Sequence, residues 1–424
     1  MADTVRSYLE FRDPSPQLVA VYRAGATEEI GKFIPTSLSS IRVLPASVWT
    51  PRDAEGKEIP VQPTRLAIAI EHDAARTAEL ARRLNDSNVT LNADLPIAMC
   101  DSWCPSGGVD RFGYQTDARD IMGGAALAAA NALGAGVNVL VVDQGLNRNA
   151  LMPRYGGGFD GTIPHGTAKV SGHGMMVARN VMALAPQAIF WDAPLIPDEI
   201  ENVSTFISSA ANAMNAILDT IEQQRAAGVA AYLRPWVITN SWAVYDRRTD
   251  RSPPNDYVNN PNHAFNLAMD RADQIRLDLV FAAGNCGGIC PKARCGPDDR
   301  GPGQSILGAN SHGKVLTVGA VRTDALWIGY SSQGPGQSNL AHDKPDVCAP
   351  SNFVEAFDYS VVNSGTSTSA ALAAGGIAAL RSLARFDPQT WPPDRLRARI
   401  RSKAGNGTWD ESLGYGVMNA GKVL

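Results

Sequence analysis

The segment from Ser364 to Gly375, Ser-Gly-Thr-Ser-Thr-Ser-Ala-Ala-Leu-Ala-Ala-Gly, is a turn of small residues that opens directly into an Ala-rich helical run. A serine at such a junction sits at the positive end of a helix, where its own backbone N–H can bind an anion. Taken alone, the same segment also fits an ordinary capping serine on a core helix. A second segment offers it a partner. Ser-Gly-His-Gly-Met-Met-Val-Ala, from Ser171 to Ala178, holds one histidine between glycines that let the backbone approach closely. Histidine titrates in the range that a base needs to take the proton of a serine hydroxyl. Asp143 supplies a carboxylate at the abrupt end of Gly-Val-Asn-Val-Leu-Val-Val. Nucleophile, base and orienting carboxylate together would support acyl transfer.

The elements that must hold these groups are legible as apolar runs alternating with amphipathic helices, the pattern of βαβ units and a mainly parallel sheet. Val137 to Val142 reads as one buried strand, Pro235 to Ile238 as a second and Leu277 to Ala283 as a third. Between them, Val203, Phe206, Ile207, Ala210, Met214, Ile217 and Ile221 share one helical face, and Phe265, Ala268, Ala272 and Ile275 share another. Asp143, Asn240 and Asn285 therefore all stand just past the C-terminal ends of parallel strands, where open α/β sheets bind ligands.

With the order Asp143, His173, Ser367, the chain resembles the subtilisin-like serine peptidases. The resemblance runs through Asp143-Gln144-Gly145, Gly172-His173-Gly174 and Ala183-Leu184-Ala185-Pro186. It continues in Asn240-Ser241-Trp242, Ala282-Ala283-Gly284-Asn285 and Thr317-Val318-Gly319-Ala320. Ser331 to Pro335, Lys344 to Pro350, Gly365-Thr366-Ser367 and Gly414 to Ala420 complete it, all in the family's order. It implies an α/β fold with a mainly parallel central sheet and helices on both faces. It also implies Ser367 as nucleophile, His173 as base and then acid, Asp143 as the orienting carboxylate and Asn285 as an oxyanion donor. Substrate would lie as an extended strand beside Asn240, Ser241, Trp242 and Ala243, with Ala282, Ala283 and Gly284 as the opposite wall of the first specificity pocket. The implied activity is serine endopeptidase action on extended polypeptides. A catalytically silent or partner-gated peptide-binding scaffold and a peptide acyl transferase are the rival readings.

Several positions depart from the family pattern. Gln144 and Leu146 replace the small hydroxyl and β-branched residue that usually follow the aspartate, Met175-Met176 replaces threonine and histidine, and Ala371-Leu372 stands where proline and often histidine follow the serine. None of these removes a triad atom. His165-Gly166-Thr167 rivals His173, which is favoured by Gly172 before it and Val177-Ala178 after it. His263 and His312 are expected at the surface, and Cys348 in the core. Cys286, Cys290 and Cys295 follow Asn285 in a Gly/Pro-rich insert, open to a local disulfide or redox control, to a zinc site completed by Cys100 or Cys104, or to free thiols.

Residues 1–95 read as a small α+β domain, with strands expected at Gln17 to Tyr22, Ile41 to Leu44, Arg65 to Ile70 and Asn88 to Leu91, and a helix from Asp73 to Leu84. It could be a removable prodomain or a permanent accessory domain. Pro45 to Pro63 is expected to be a surface loop, residues 96–118 a linker, and residues 119–424 the peptidase domain. With 424 residues, two domains are the starting expectation. A net charge of -4 and no Lys/Arg run interleaved with aromatics argue against nucleic acid as a partner. The N-terminus lacks the features of a secretory signal, and the uncharged stretch from Met122 to Val142 is broken by Gly134 and Gly136, so the expectation is a cytoplasmic protein with no membrane partner. The expected partner is a polypeptide substrate, and restraint of an open cleft is expected from the N-terminal domain, a regulatory protein partner or a narrow pocket. No cofactor or metal is expected from ligand spacing, and the sequence does not locate the structural calcium that the fold would tolerate.

Overall fold

In this computed structural model, which describes residues 4–34, 41–45, 48–84, 88–100, 112–161, 163–196, 205–250, 255–356, 358, 361–405 and 407–424, the apolar runs become an α/β sheet. Its strands are β3 (Thr50–Asp53), β7 (Asn138–Asp143), β8 (Tyr155–Asp160), β9 (Ile189–Pro194), β11 (Trp236–Asn240), β13 (Asp278–Ala282), β14 (Leu316–Val321) and β15 (Val347–Pro350). Among the described residues these form one eight-stranded sheet in the order β15-β14-β13-β11-β7-β9-β8-β3. Every neighbouring pair is parallel except β3 with β8.

Both faces of this sheet are covered, which is why its strands read as unbroken apolar runs. Along β7, Val139 and Val141 join the core shared with helices His173–Leu184 and Gly365–Arg381, while Leu140 and Val142 join the core shared with helices Ile207–Ala226 and Ala264–Gln274. The alternation of successive side chains across a strand produces this division. Helix Gly365–Arg381 is buried along its whole length, and its small residues let it lie against helix His173–Leu184. A Cβ on Gly375 would fall 2.6 Å from the Val181 carbonyl oxygen, so only glycine permits that approach.

A second, antiparallel sheet holds β1 (Thr4–Arg12), β2 (Arg42–Val43), β4 (Arg65–Asp73) and β5 (Val89–Ala93) in the order β2-β4-β1-β5. It docks on helix Ile207–Ala226 through buried polar pairs. The Asn212 amide accepts from the Ala67 N–H at 2.8 Å and donates to the Ala67 carbonyl at 2.7 Å. Asp94 accepts from the Ser208 N–H at 2.8 Å and its hydroxyl at 2.9 Å, capping the start of that helix.

Four expectations change here. Gln17 to Tyr22 is not a strand but lies in helix Pro16–Arg23, capped by Ser15 with proline in its first turn. The stretch Pro45 to Pro63 is not loop throughout, since β3 closes the sheet edge from within it. His263 and His312 are buried rather than at the surface. His263 accepts from the Phe265 N–H and faces the Ala93 carbonyl, and burial pushes it down to about 4. Finally, Pro96–Met99, placed in a linker by sequence, is a strand, β6. Val203, Cys104 and residues 101–111 of the expected linker lie outside the described residues. Among those described, no helix is long and apolar enough to cross a membrane.

Candidate active site

Asp143 ends β7 and is fully buried, and His173 begins the helix that packs beneath it. The His173 Nδ1 lies 2.8 Å from Asp143 Oδ1, which also accepts from the Gln144 N–H at 2.7 Å. Gly174 makes this approach feasible, because a Cβ there would fall 2.2 Å from the Gly145 carbonyl oxygen. Gln144, a departure from the family pattern, has its own task. Its side-chain oxygen accepts from the His173 N–H at 3.0 Å, satisfying one of the orphan donors of a helix whose N-cap, Gly172, has no side chain to do so.

Ser367 lies in the first turn of helix Gly365–Arg381 and is fully buried. Its hydroxyl donates to the Ser241 carbonyl at 3.2 Å. Asn285, just past β13, is oriented by Thr366, whose N–H and hydroxyl both reach Asn285 Oδ1, at 3.0 and 2.9 Å. A backbone N–H can only donate, so the contacted atom is the amide oxygen and the NH2 group is turned the other way. That Nδ2 is buried and has no hydrogen-bond partner among the described residues. A buried orphan donor is costly unless it awaits an acceptor.

What lies before these groups is the chain itself. Strand β6 runs antiparallel between β10 (Thr205–Phe206) and β12 (Trp242–Val244), pairing Met99 with Trp242, Ala98 with Ala243 and Ile97 with Val244. The ladder continues with the Cys100 N–H donating to the Ser241 carbonyl at 2.8 Å, and the Cys100 carbonyl accepting from the Ser367 N–H at 3.2 Å. Of the other wall residues, Ala282 is held by the Asn310 amide and Ala283 by the Val318 carbonyl. Gly284 donates its N–H to the Thr366 hydroxyl. Asn240 sits in the ladder beside Val142 and Phe281, with its amide buried. Sequence reasoning named both walls but gave no role to the segment that pairs with β12, nor to Gln144 or Thr366.

The rival histidine is elsewhere. His165 bonds the Tyr155 hydroxyl and stacks on its ring, beside β8. Cys286 and Cys295 form a disulfide directly after Asn285, the local bridge among the alternatives left by sequence, and Cys348 is buried as expected.

Asp192 on β9 adds a titrating group behind Asp143. Burial, reinforced by the charge of Asp143, pushes its carboxyl up to about 7 against the Gly166 N–H that it accepts. An unfolded aspartate loses its proton near pH 4, so the folded chain binds more protons between about pH 4 and 7, and stability falls as pH rises through that window. Asp192→Asn is expected to flatten this slope, reducing the loss of unfolding free energy between pH 5 and pH 8 by up to about 3 kcal/mol in urea titrations. An unaltered slope would show that Asp192 is already ionised at pH 5.

A mainly parallel sheet with a serine at a helix start, a histidine–aspartate pair and an oriented amide at its strand ends defines a subtilisin-like serine peptidase. The chain belongs to the subtilase family, whose model matches residues 134–416. Mycosin-1 of Mycobacterium tuberculosis is 27% identical over 322 residues, covering 69% of each chain. Mycosin-4 of the same organism is 27% identical over 308 residues, 68% of this chain and 64% of its own length. Among solved structures, MycP1 from the ESX-1 type VII secretion system is 20% identical and aligns with a TM-score of 0.48 over 78% of this chain and 91% of its own. MycP3 protease from the type VII (ESX-3) secretion system gives 18%, 0.48, 78% and 94%. As a family member the chain is a serine endopeptidase.

Proposed function

We propose that the chain hydrolyses peptide bonds of extended polypeptides through an acyl-enzyme on Ser367, and that residues 1–95 restrain it by presenting their own C-terminal extension to the cleft. Ser367 Oγ attacks the scissile carbonyl carbon while His173 takes its proton, Asp143 holding the imidazole and stabilising its charged form. The oxyanion forms between the Ser367 N–H and Asn285 Nδ2. His173 then protonates the leaving amine, and water repeats the sequence on the ester. The observation that carries this reading is the Cys100 carbonyl, which accepts from the Ser367 N–H while the preceding residues form a ladder with β12. A substrate bound by strand addition would use the same bonds.

The polypeptide partner is thus supplied first from within the chain, and a separate regulatory protein is not needed for restraint. The Cys286–Cys295 bridge fits an oxidising compartment better than the reducing cytoplasm, which sets it against the cytoplasmic expectation.

Incubation of the purified full chain with a fluorophosphonate, followed by peptide mapping over hours, tests the assignment. The adduct is expected on the Ser367 peptide, at a rate set by opening of the β6 segment. An adduct on another serine, or none while a control subtilisin reacts fully, overturns it.

A further inference from the structure

Gly365 carries one of the orphan N–H groups at the start of the nucleophile helix, and the N-cap residue Ser364 makes no side-chain bond to meet it. The acceptor comes from elsewhere in the chain. The Gly365 N–H donates to the Tyr330 hydroxyl at 3.0 Å. That hydroxyl lies 2.7 Å from Ser351 Oγ, and Ser351 Oγ donates to the Gly365 carbonyl at 2.8 Å. Each hydroxyl has one proton, and Ser351 directs its own at the carbonyl, so Tyr330 is the donor between the two. A closed ring results, in which both polar groups of Gly365 are held. Tyr330 and Ser351 are fully buried, and burial pushes the phenol well above its ordinary range, so it stays protonated.

The ring bears on the oxyanion donors. The Gly365 carbonyl and the Thr366 N–H are opposite edges of one trans peptide plane. Ser351 holds the first edge, and the second donates to Asn285 Oδ1 at 3.0 Å. The next plane presents the Ser367 N–H. Tyr330 reaches the Asn285 side through its main chain, where its carbonyl accepts from the Gly287 N–H at 2.8 Å. Two residues on, Ser332 donates its N–H to the Gly284 carbonyl at 3.0 Å and accepts from the Cys286 N–H on its hydroxyl at 3.1 Å. One short segment, Tyr330 to Ser332, thus grips the chain on both sides of Asn285 and the start of the nucleophile helix.

We infer that Tyr330, acting through Ser351 and Gly365, is a positioning residue that sets the spacing between the Ser367 N–H and Asn285 Nδ2. It touches no reacting atom. Loss of its hydroxyl leaves the buried Gly365 N–H without an acceptor and frees the plane that orients Asn285 to turn. The effect should fall on the transition state, where the oxyanion exists, and not on the binding of peptide along Ser241 to Val244.

This inference rests on the assignment of Ser367 as nucleophile and Asn285 as oxyanion donor, and the two fail separately. Hydrolysis of a peptide amide by the full chain is measured for wild type, Tyr330→Phe, Ser351→Ala, Asn285→Ala, and Asn285→Ala combined with Tyr330→Phe. Fluorophosphonate labelling and thermal unfolding accompany each. The β6 segment competes with substrate and so raises KM, which leaves kcat as the readout. Tyr330→Phe keeps its ring among Phe112, Ala320 and Ile328 and should lower kcat about 10- to 100-fold with KM little changed. Outright loss of an oxyanion donor costs more, about 10²- to 10³-fold. Ser351→Ala should lower kcat in the same way, and it gives the reading if the phenylalanine chain does not fold. With Asn285 already replaced, Tyr330→Phe should cost less than about threefold, since one end of the spacing it sets is gone. A Tyr330→Phe chain that melts earlier but turns over at the wild-type kcat has lost a purely structural bond and overturns the inference. A loss of equal size with and without Asn285 overturns it too, and both results leave the peptidase reading standing. Absence of both label and turnover in the wild type overturns the underlying assignment.

Discussion

Ser367→Ala is expected to lower kcat about 10⁶-fold, the scale found for the nucleophile of subtilisin itself, and to leave the whole population at 45.0 kDa. Hydrolysis of an Ile-Ala-Met-Ala amide and intact mass are the two measurements. The substitution removes one hydroxyl whose bond is to the Ser241 carbonyl, and that carbonyl keeps the Cys100 N–H as donor. No buried group is orphaned, so thermal unfolding should be little changed. The Ser367 N–H and Asn285 Nδ2 both remain, so a rate above the uncatalysed one should persist through oxyanion binding alone. A variant that still separates into two pieces at the wild-type rate would assign the cut to another nucleophile or to a contaminant.

The parts of the site that sequence made legible are those fixed by local pattern. Asp143, Asn240 and Asn285 end apolar strands, and Ser367 opens a helix of small residues, so their placement follows from strand and helix signals alone. Residues whose roles depend on distant partners were not legible. Strand β6 is four residues long and has β12 as its partner, far along the chain, so no periodicity announced it. Gln144 departs from the family pattern, and its value as a helix-start acceptor appears only once Gly172 is seen to lack a side chain there. Strand β1 was missed for a different reason. It is the interior strand between β4 and β5, in which Val5, Leu9 and Phe11 alternate with Arg6, Glu10 and Arg12, but Ser7 and Tyr8 interrupt the pattern and Glu10 is buried by its pairing with Arg65. Gln17 to Tyr22 reads as a strand by composition, yet Ser15 and Pro16 carry the N-terminal signature of a helix, and Leu18 and Tyr22 stand one turn apart on its buried side. His263 and His312 were misplaced because burial of a neutral imidazole depends on partners that the sequence does not bring together.

The same dependence on distant partners gives Asp143 its expected effect. Asp143→Asn should lower kcat by about 10⁴-fold, the scale known for this exchange in another serine protease, with KM little changed. The amide is nearly isosteric, and its oxygen could still accept from the Gln144 N–H and from His173 Nδ1, so the helix start need not move. What disappears is the negative charge beside the imidazole, in a site where Asp143 is fully buried and water screens little. The cost therefore falls on the step in which His173 becomes charged and not on binding, since the strand-pairing groups of Ser241 to Val244 are untouched. The new NH2 group would take the place of Asp143 Oδ2, which has no hydrogen-bond partner among the described residues, so some loss of stability should accompany the loss of rate. Steady-state kinetics on the same peptide amide separates the two parameters. A fall in kcat of less than tenfold would mean that the histidine is oriented by its surroundings alone, with Gln144 and the packed helix start sufficient to hold it.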